Sequence, residues 1–137
     1  MKAVLDIGSN SVRLRCFSDG KIIYNGKITS QLGKNMSEDG LLDENSEKRT
    51  TDAVKTLAEK AEELGAKRES ILAFATAAVR NSKNGKAYAE FLERETGIKI
   101  DILSGEAEAE TGLLGALSGG DGAVIDIGGA SSELAVK

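Results

Sequence analysis

The sequence predicts an α/β fold: a mixed five-stranded sheet, three antiparallel strands at the N-terminus followed by parallel strands, with helices on its faces. Three observations lead there. Residues 2–29 read as three short strands joined by tight turns, and residues 44–118 then alternate helical and strand patterns. Hairpin-linked strands followed by strand–helix crossovers describe such a sheet, which places ligands beyond its strand ends. The third observation is an internal repeat: AVLDIGSNSVRL from Ala3 to Leu14 returns as AVIDIGGASSEL from Ala123 to Leu134, with seven positions identical. Repeats signal duplicated structural units.

Taken in order, Lys2 to Ile7, with Ala3, Val4, Leu5 and Ile7 apolar, reads as a central strand buried on both faces. Ser11 to Phe17 alternates as its hairpin partner, and the Asp19-Gly20 turn leads into a third strand over Lys21 to Thr29. Gln31 to Asp43 is polar, holds Gly33 and Gly40, and reads as a loop. Val54, Leu57, Ala58, Ala61 and Leu64 repeat at helical spacing, bounded by Asp43 or Ser46 as N-cap and by Gly65 as stop. Ser70 to Thr76 is a short apolar strand. A second helix is expected from about Ser82 to Thr96, turning Ala87, Tyr88, Phe91, Leu92 and Glu95 inward. After the Gly97 stop, Ile98, Ile100 and Ile102 alternate with Lys99 and Asp101 as another strand. Ser104 then caps a third helix reaching Ser118, ended by Gly119-Gly120. Residues 1–120 are thus expected to form one domain, and 121–137 the first hairpin of a second, truncated one.

Composition narrows the chemistry. The chain has 137 residues and no histidine, which removes Ser-His-Asp and Cys-His schemes and imidazole-based zinc sites. Carboxylates, Arg, Lys and backbone amides must do the work. A net charge of −4 lacks the basic footprint of nucleic-acid binders, so an anionic substrate needs a local positive patch. The lone Cys16 shares a strand face with Val12 and Leu14 and reads as a buried thiol; no internal disulfide can form. No apolar run approaches the ~20 residues of a membrane span, and no basic leader precedes the first strand, so the expected location is the cytoplasm with no membrane contact.

Four segments carry candidate chemistry. Asp6-Ile7-Gly8-Ser9-Asn10-Ser11 sets a carboxylate at a strand end before a Gly-Ser turn, where backbone N–H groups can approach an oxyanion and Ser and Asn add donors. Its echo at Asp126-Ile127-Gly128-Gly129-Ala130-Ser131 suggests two phosphate hairpins facing one another as a clamp. Ala75-Thr76-Ala77-Ala78-Val79-Arg80 leads through small residues to one cation whose fork can hold a phosphate bidentately. Ser104-Gly105-Glu106-Ala107-Glu108-Ala109-Glu110 opens a helix with three carboxylates, favoured there by the helix dipole. At 3.6 residues per turn Glu108 sits about 200° from Glu106 and from Glu110, on the side of Ala107, Thr111 and Gly115. From that side a carboxylate facing the sheet edge can orient or deprotonate an attacking water.

Together with the LGKNMSEDGLL loop from Leu32 to Leu42, these segments resemble the exopolyphosphatase and guanosine pentaphosphate phosphatase (Ppx/GppA) family. That family lies within the actin-like, ribonuclease H-like superfold. The two DIG hairpins fit any member of the superfold, whereas ATAAVRNS and SGEAEAE are specific to the phosphatases. The resemblance implies Glu108 as the base that positions the hydrolytic water, and Arg80 as a phosphate ligand. It implies Gly8, Ser9, Asn10 and Ser11 as the first phosphate loop, and Gly128, Gly129, Ala130 and Ser131 as the second. Asp6, Asp126 and Glu133 become candidates for holding Mg²⁺ or another divalent cation, directly or through water. The substrate implied is polyphosphate or a guanosine tetra- or pentaphosphate alarmone. Oxygen ligands suit Mg²⁺, and phosphoryl transfer needs mainly positioning and charge neutralisation.

Two departures bear on activity. Ala130 stands where the family's second loop carries a third glycine, adding a Cβ where the phosphate approaches. The family's second domain is expected after Lys137, so the chain alone is expected to present an open, inactive cleft and to pair with that domain or with a second copy as a homodimer through the 123–136 hairpin. Two other functions share some features: an actin-like kinase or ATPase, which leaves ATAAVRNS and SGEAEAE unexplained, and a non-catalytic binding or assembly module.

Overall fold

Apolar alternation shapes the second strand, and a two-residue turn joins it to the third. In the computed structural model, which describes residues 1–109 and the backbone of two later strands, β1 (Lys2–Ile7), β2 (Ser11–Ser18) and β3 (Lys21–Thr29) form an antiparallel meander. Asp19 and Gly20 both take positive φ, 52° and 75°, the twist that a two-residue hairpin favours. β4 (Ile71–Ala75) and β5 (Ile100–Ile102) continue the sheet in parallel on the other side of β1, giving the order β3-β2-β1-β4-β5. The expected mixed five-stranded sheet is present.

The crossovers carry α1 (Glu44–Glu63), a 3₁₀ turn at Arg68–Ser70, α2 (Ala77–Asn81) and α3 (Gly85–Thr96). Asp43 is the N-cap of α1: its carboxylate accepts the Ser46 N–H at 3.1 Å, so Ser46 lies inside the first turn. Gly65, at φ 109°, ends the helix just after Leu64. Ala53, Val54, Leu57, Ala58 and Ala61 of α1 join one core with Ala3, Leu5, Ile7, Val12, Leu14 and Cys16 of the sheet. Each fully buried Leu, Ile or Val there contributes roughly 1.5–3 kcal/mol. Burial also pushes the Cys16 thiol up, away from the reactive thiolate form.

Two expectations need correction. β1 is central by pairing but alternates in burial: Ala3, Leu5 and Ile7 are buried, while Val4 and Asp6 are partly exposed. Leu72, opposite Val4 on β4, is 64% exposed, because the core helices α1 and α3 cover the other face. The helix expected from Ser82 to Thr96 is two helices. The chain turns between Asn81 and Gly85 so tightly that a Cβ on Gly85 would lie 1.8 Å from the Val79 carbonyl oxygen. Asn84 does not cap α3 with its side chain; it bonds the backbone of Leu42 instead, accepting its N–H at 2.7 Å and donating to its carbonyl at 3.3 Å. The buried face of α3 is Tyr88, Ala89, Leu92 and Thr96, with Ala87, Phe91 and Glu95 exposed. Its phase is set by Tyr88, whose hydroxyl sits 3.0 Å from both Thr51 Oγ1 and the Glu47 carbonyl.

The terminal repeat is a hairpin of the same register as the first. β6 (Ala123–Ile127) and β7 (Ser132–Val136) pair Ile127 with Ser132, Asp126 with Glu133 and Ile125 with Leu134. β1 and β2 pair Ile7 with Val12, Asp6 with Arg13 and Leu5 with Leu14. The third helix expected to reach Ser118, beyond residue 109, the expected 120/121 boundary and the expected phosphate loop 128–131 lie outside the described residues. No helix among the described residues is long and apolar enough to cross a membrane.

Gly85→Ala should lower the free energy of unfolding by about 3 kcal/mol, since backbone and not a flexible side chain occupies the space; urea melts measure it. Burial holds the Tyr88 phenol neutral well above its ordinary value of 10.0. The stability this contributes is complete below pH 10 and is lost as pH rises past it, because the unfolded phenol ionises first. Unfolding free energy should therefore fall above pH 10, by up to about 1.4 kcal/mol per pH unit from this group, and the fall should be shallower by that amount in Tyr88→Phe.

Candidate functional site

Parallel pairing puts the C-terminal ends of β1, β4 and β5 on one edge of the sheet. The alignment continues past the strands: the Thr76 N–H donates to the Ile7 carbonyl at 3.3 Å and the Leu103 N–H to the Ala75 carbonyl at 2.9 Å. The Gly8–Ser11 loop, the Thr76–Arg80 segment and the Ser104–Glu108 segment therefore leave the sheet side by side, as their strand-end positions predict.

The first loop is closed by the Gly8 N–H on the Ser11 carbonyl at 3.0 Å, and a Cβ on Gly8 would lie 3.1 Å from that oxygen. The loop's carbonyls are tied to the segment after β3. Asn10 O accepts the N–H groups of Ser30 (3.0 Å) and Gln31 (2.9 Å), and Ser9 O accepts that of Gly33 (2.9 Å). In a trans peptide the N–H points opposite the carbonyl, so fixing Ser9 O toward Gly33 aims the Asn10 N–H away from it. The Ser9 and Asn10 amides donate to no acceptor among the described residues, and Asn10 is exposed. Asn10 Nδ2 lies 3.4 Å from Ser11 Oγ. Such a loop can hold an anion with main-chain donors.

Arg80 belongs to α2, with its N–H on the Thr76 carbonyl at 2.9 Å. Its Nη1 donates to the Leu103 carbonyl at 2.9 Å and to Glu108 Oε2 at 3.1 Å, and both side chains of this ion pair are 19% exposed. Ser104 caps the helical residues 105–109: its Oγ accepts the Ala107 N–H at 3.1 Å, and its carbonyl accepts the Glu108 N–H at 3.0 Å. Glu106 is exposed while Glu108 is largely covered, the separation that helical spacing predicts. The sequence placed Arg80 and Glu108 on separate segments; that they pair directly required the β4–β5 register.

Asp6, half-buried near the end of β1, stands between Arg13 on β2 and Phe74 on β4. Asp126 and Glu133 occupy directly opposed positions of the second hairpin. Gly128, Gly129, Ala130 and Ser131 lie outside the described residues. No group of three or more His, Cys, Asp or Glu side chains is placed to hold a metal among the described residues. A groove of about 470 Å³ beside α1 and α3, lined by Glu47, Lys48, Thr51, Lys55, Phe91 and Glu95 among others, shares no residue with this edge.

Sequence reasoning missed two groups that shape the edge. Asn84, which ties α3 to the Leu42 backbone, carried a signal in the Asn-Gly pair that marks turns. Arg49 of α1, bonded to the carbonyls of Ser30 and Gln31, carried none, since it reads as one cation on a solvated helix face.

Comparison with known proteins places this arrangement. The model of the Ppx/GppA phosphatase family matches residues 12–137. The guanosine-5′-triphosphate,3′-diphosphate pyrophosphatase of Vibrio vulnificus is 32% identical across 98% of the chain and 28% of its own length. The crystal structure of the Aquifex aeolicus Ppx/GppA family member superposes with a TM-score of 0.80 at 32% identity, covering 96% of this chain and 45% of that one. An exopolyphosphatase from Cytophaga hutchinsonii gives 0.83 at 25% identity, covering 98% and 45%. MreB5 of Spiroplasma citri, at 17% identity and a TM-score of 0.56, shares the fold alone. The chain thus spans about a quarter to a half of the length of these phosphatase relatives. With the family model matched over residues 12–137 and the sheet superposed on that of family members, the chain belongs to the Ppx/GppA phosphatase family.

Proposed function

We propose that this chain supplies the first phosphate loop, the phosphate-binding arginine and the general base of a phosphohydrolase that cleaves phosphoanhydride bonds in polyphosphate or a guanosine penta- or tetraphosphate. The observation that carries the reading is the convergence at one sheet edge of the Gly8–Ser11 loop with the Arg80–Glu108 pair at 3.1 Å. Main-chain N–H groups of the loop, with the second loop Gly128–Ser131, bind phosphoryl oxygens. Arg80 neutralises substrate charge, and Glu108 accepts a proton from the attacking water.

The donor chemistry at Asp6, Asp126 and Glu133 suits Mg²⁺, which is held by one or two carboxylates and keeps several waters. Such a cation, when bound, neutralises phosphate charge. The ladder positions favour the second hairpin for it: Asp126 stands opposite Glu133, whereas Asp6 stands opposite Arg13. Two like charges directly opposed across a ladder destabilise it unless a cation is shared.

The test is release of orthophosphate from polyphosphate or guanosine pentaphosphate without ATP, by this chain and by any longer chain that carries it. In an active form, Glu108→Gln should cut kcat by roughly 10²–10⁴ with KM little changed; an unchanged kcat removes Glu108 from the mechanism. Arg80→Ala should raise KM and, because Arg80 also orients Glu108, lower kcat. Arg80→Lys should recover only part, since an ammonium lacks the planar fork. Self-association belongs to the same proposal, because strand edges recruit partners and β6 and β7 pair only with each other among the described strands. Light scattering at tens of micromolar should show a dimer that a chain ending at Gly120 lacks.

A further inference from the structure

Arg49 lies on the exposed side of α1, where a cation ordinarily does nothing but face water. Its guanidinium is nevertheless committed to three acceptors in the protein. Nε donates to the Ser30 carbonyl at 3.0 Å, while Nη2 reaches the Ser30–Gln31 bend at the Gln31 carbonyl (3.4 Å) and the buried Ser46 hydroxyl (2.9 Å). Ser46 Oγ in turn donates to the Lys34 carbonyl at 3.0 Å, and Ser46 N–H is held by the Asp43 cap. The start of α1 therefore grips the segment 30–34 by its carbonyls.

That grip has a mechanical consequence. Gln31 takes φ 52°, a left-handed conformation costly for a residue with a side chain. The bend turns the Ser30 and Gln31 N–H groups together onto the Asn10 carbonyl, and the Gly33 N–H onto the Ser9 carbonyl. Those two carbonyls decide which way the peptide units of the first phosphate loop face. A guanidinium is suited to this, because its rigid fork fixes the relative positions of several acceptors in one plane.

We infer that Arg49 is a positioning residue for the first phosphate loop: by holding the carbonyls of Ser30 and Gln31 it fixes the bend at residues 30–33, whose N–H groups hold the Asn10 carbonyl and, from Gly33, the Ser9 carbonyl of the peptide unit that carries the Asn10 N–H. The anion-binding consequence rests on the proposed phosphohydrolase reading; the mechanical link does not.

Amide hydrogen exchange and inorganic tripolyphosphate titration, both followed by NMR on the whole chain, separate the two. Arg49→Ala should lower protection at the Ser30, Gln31 and Gly33 amides by about tenfold or more, as expected for loss of hydrogen bonds from a charged donor. Protection at Leu5 and Val12, in the β1–β2 core, should stay unchanged. Arg49→Lys should restore part of it, and Ser46→Ala should give a smaller loss at the same three amides. The tripolyphosphate concentration that half-shifts the Ser9 and Asn10 amide resonances should rise about fivefold or more in Arg49→Ala, the share of that hydrogen-bond loss passed on to the loop. Unchanged protection at Ser30, Gln31 and Gly33 overturns the inference, as does an equal loss at Leu5 and Val12, which makes Arg49 only a source of global stability. Failure of the wild-type chain to shift with tripolyphosphate overturns the phosphate reading, and the exchange results still decide on Arg49.

Discussion

The parallel register of β1 with β4, and of β4 with β5, is the constraint on which the candidate site depends. It sets Ile7 beside Ala75 and Ala75 beside Ile102, so three segments distant in sequence emerge together. A slip of one residue would exchange the faces of a strand, bringing Val4 and Asp6 into the core and expelling Ala3, Leu5 and Ile7. The apolar alternation that fills the core therefore also fixes where the catalytic candidates stand. The hydrogen bonds from Thr76 and Leu103 extend the ladder just past the strands, which is where Arg80 and Glu108 begin to diverge from the sheet and can meet.

An acidic chain binding a polyanion needs its positive charge placed rather than abundant. Under the proposed function Arg80 meets that need, as one placed cation in a chain whose net charge is −4. At 19% exposure its guanidinium is largely withdrawn from water and compensated by the Glu108 carboxylate and the Leu103 carbonyl. Under the proposed function, a phosphoryl oxygen entering the edge competes with Glu108 for this cation. The bond to Leu103 holds the guanidinium in place while its acidic partner changes, so Glu108 can turn to water as substrate charge arrives. One ion pair then serves as both the resting arrangement and the start of catalysis.

Much of this was legible in the sequence because it depends on period and punctuation. The succession of strands and helices along the chain, the Asp19-Gly20 turn, the Ser104 cap and the opposite exposures of Glu106 and Glu108 all follow from local rules. The failures share another cause. α3 is out of phase by one residue because its face is fixed by the Tyr88 hydroxyl against α1, a tertiary bond that periodicity does not encode. The break before α3 follows from the contact of Gly85 with Val79, and the role of Arg49 from carbonyls nearly twenty residues earlier. β1 looked buried on both faces because valine at position 4 suits a strand on either side.

The repeat shows how one hairpin design can be given two electrostatic characters. Both copies keep the Asp, the Gly that follows two residues later, and the same ladder register. They differ at the position opposite the Asp, Arg13 in the first and Glu133 in the second. In the first hairpin the aspartate position is paired with that of a cation, and under the proposed function the loop's main-chain N–H groups are the attraction for an anion. In the second, two acidic positions share one rung, which under the proposed function favours a cation bound there. Under the proposed function, a pair of loops so related approaches a polyphosphate differently, one by amide donors and the other by way of a bound cation.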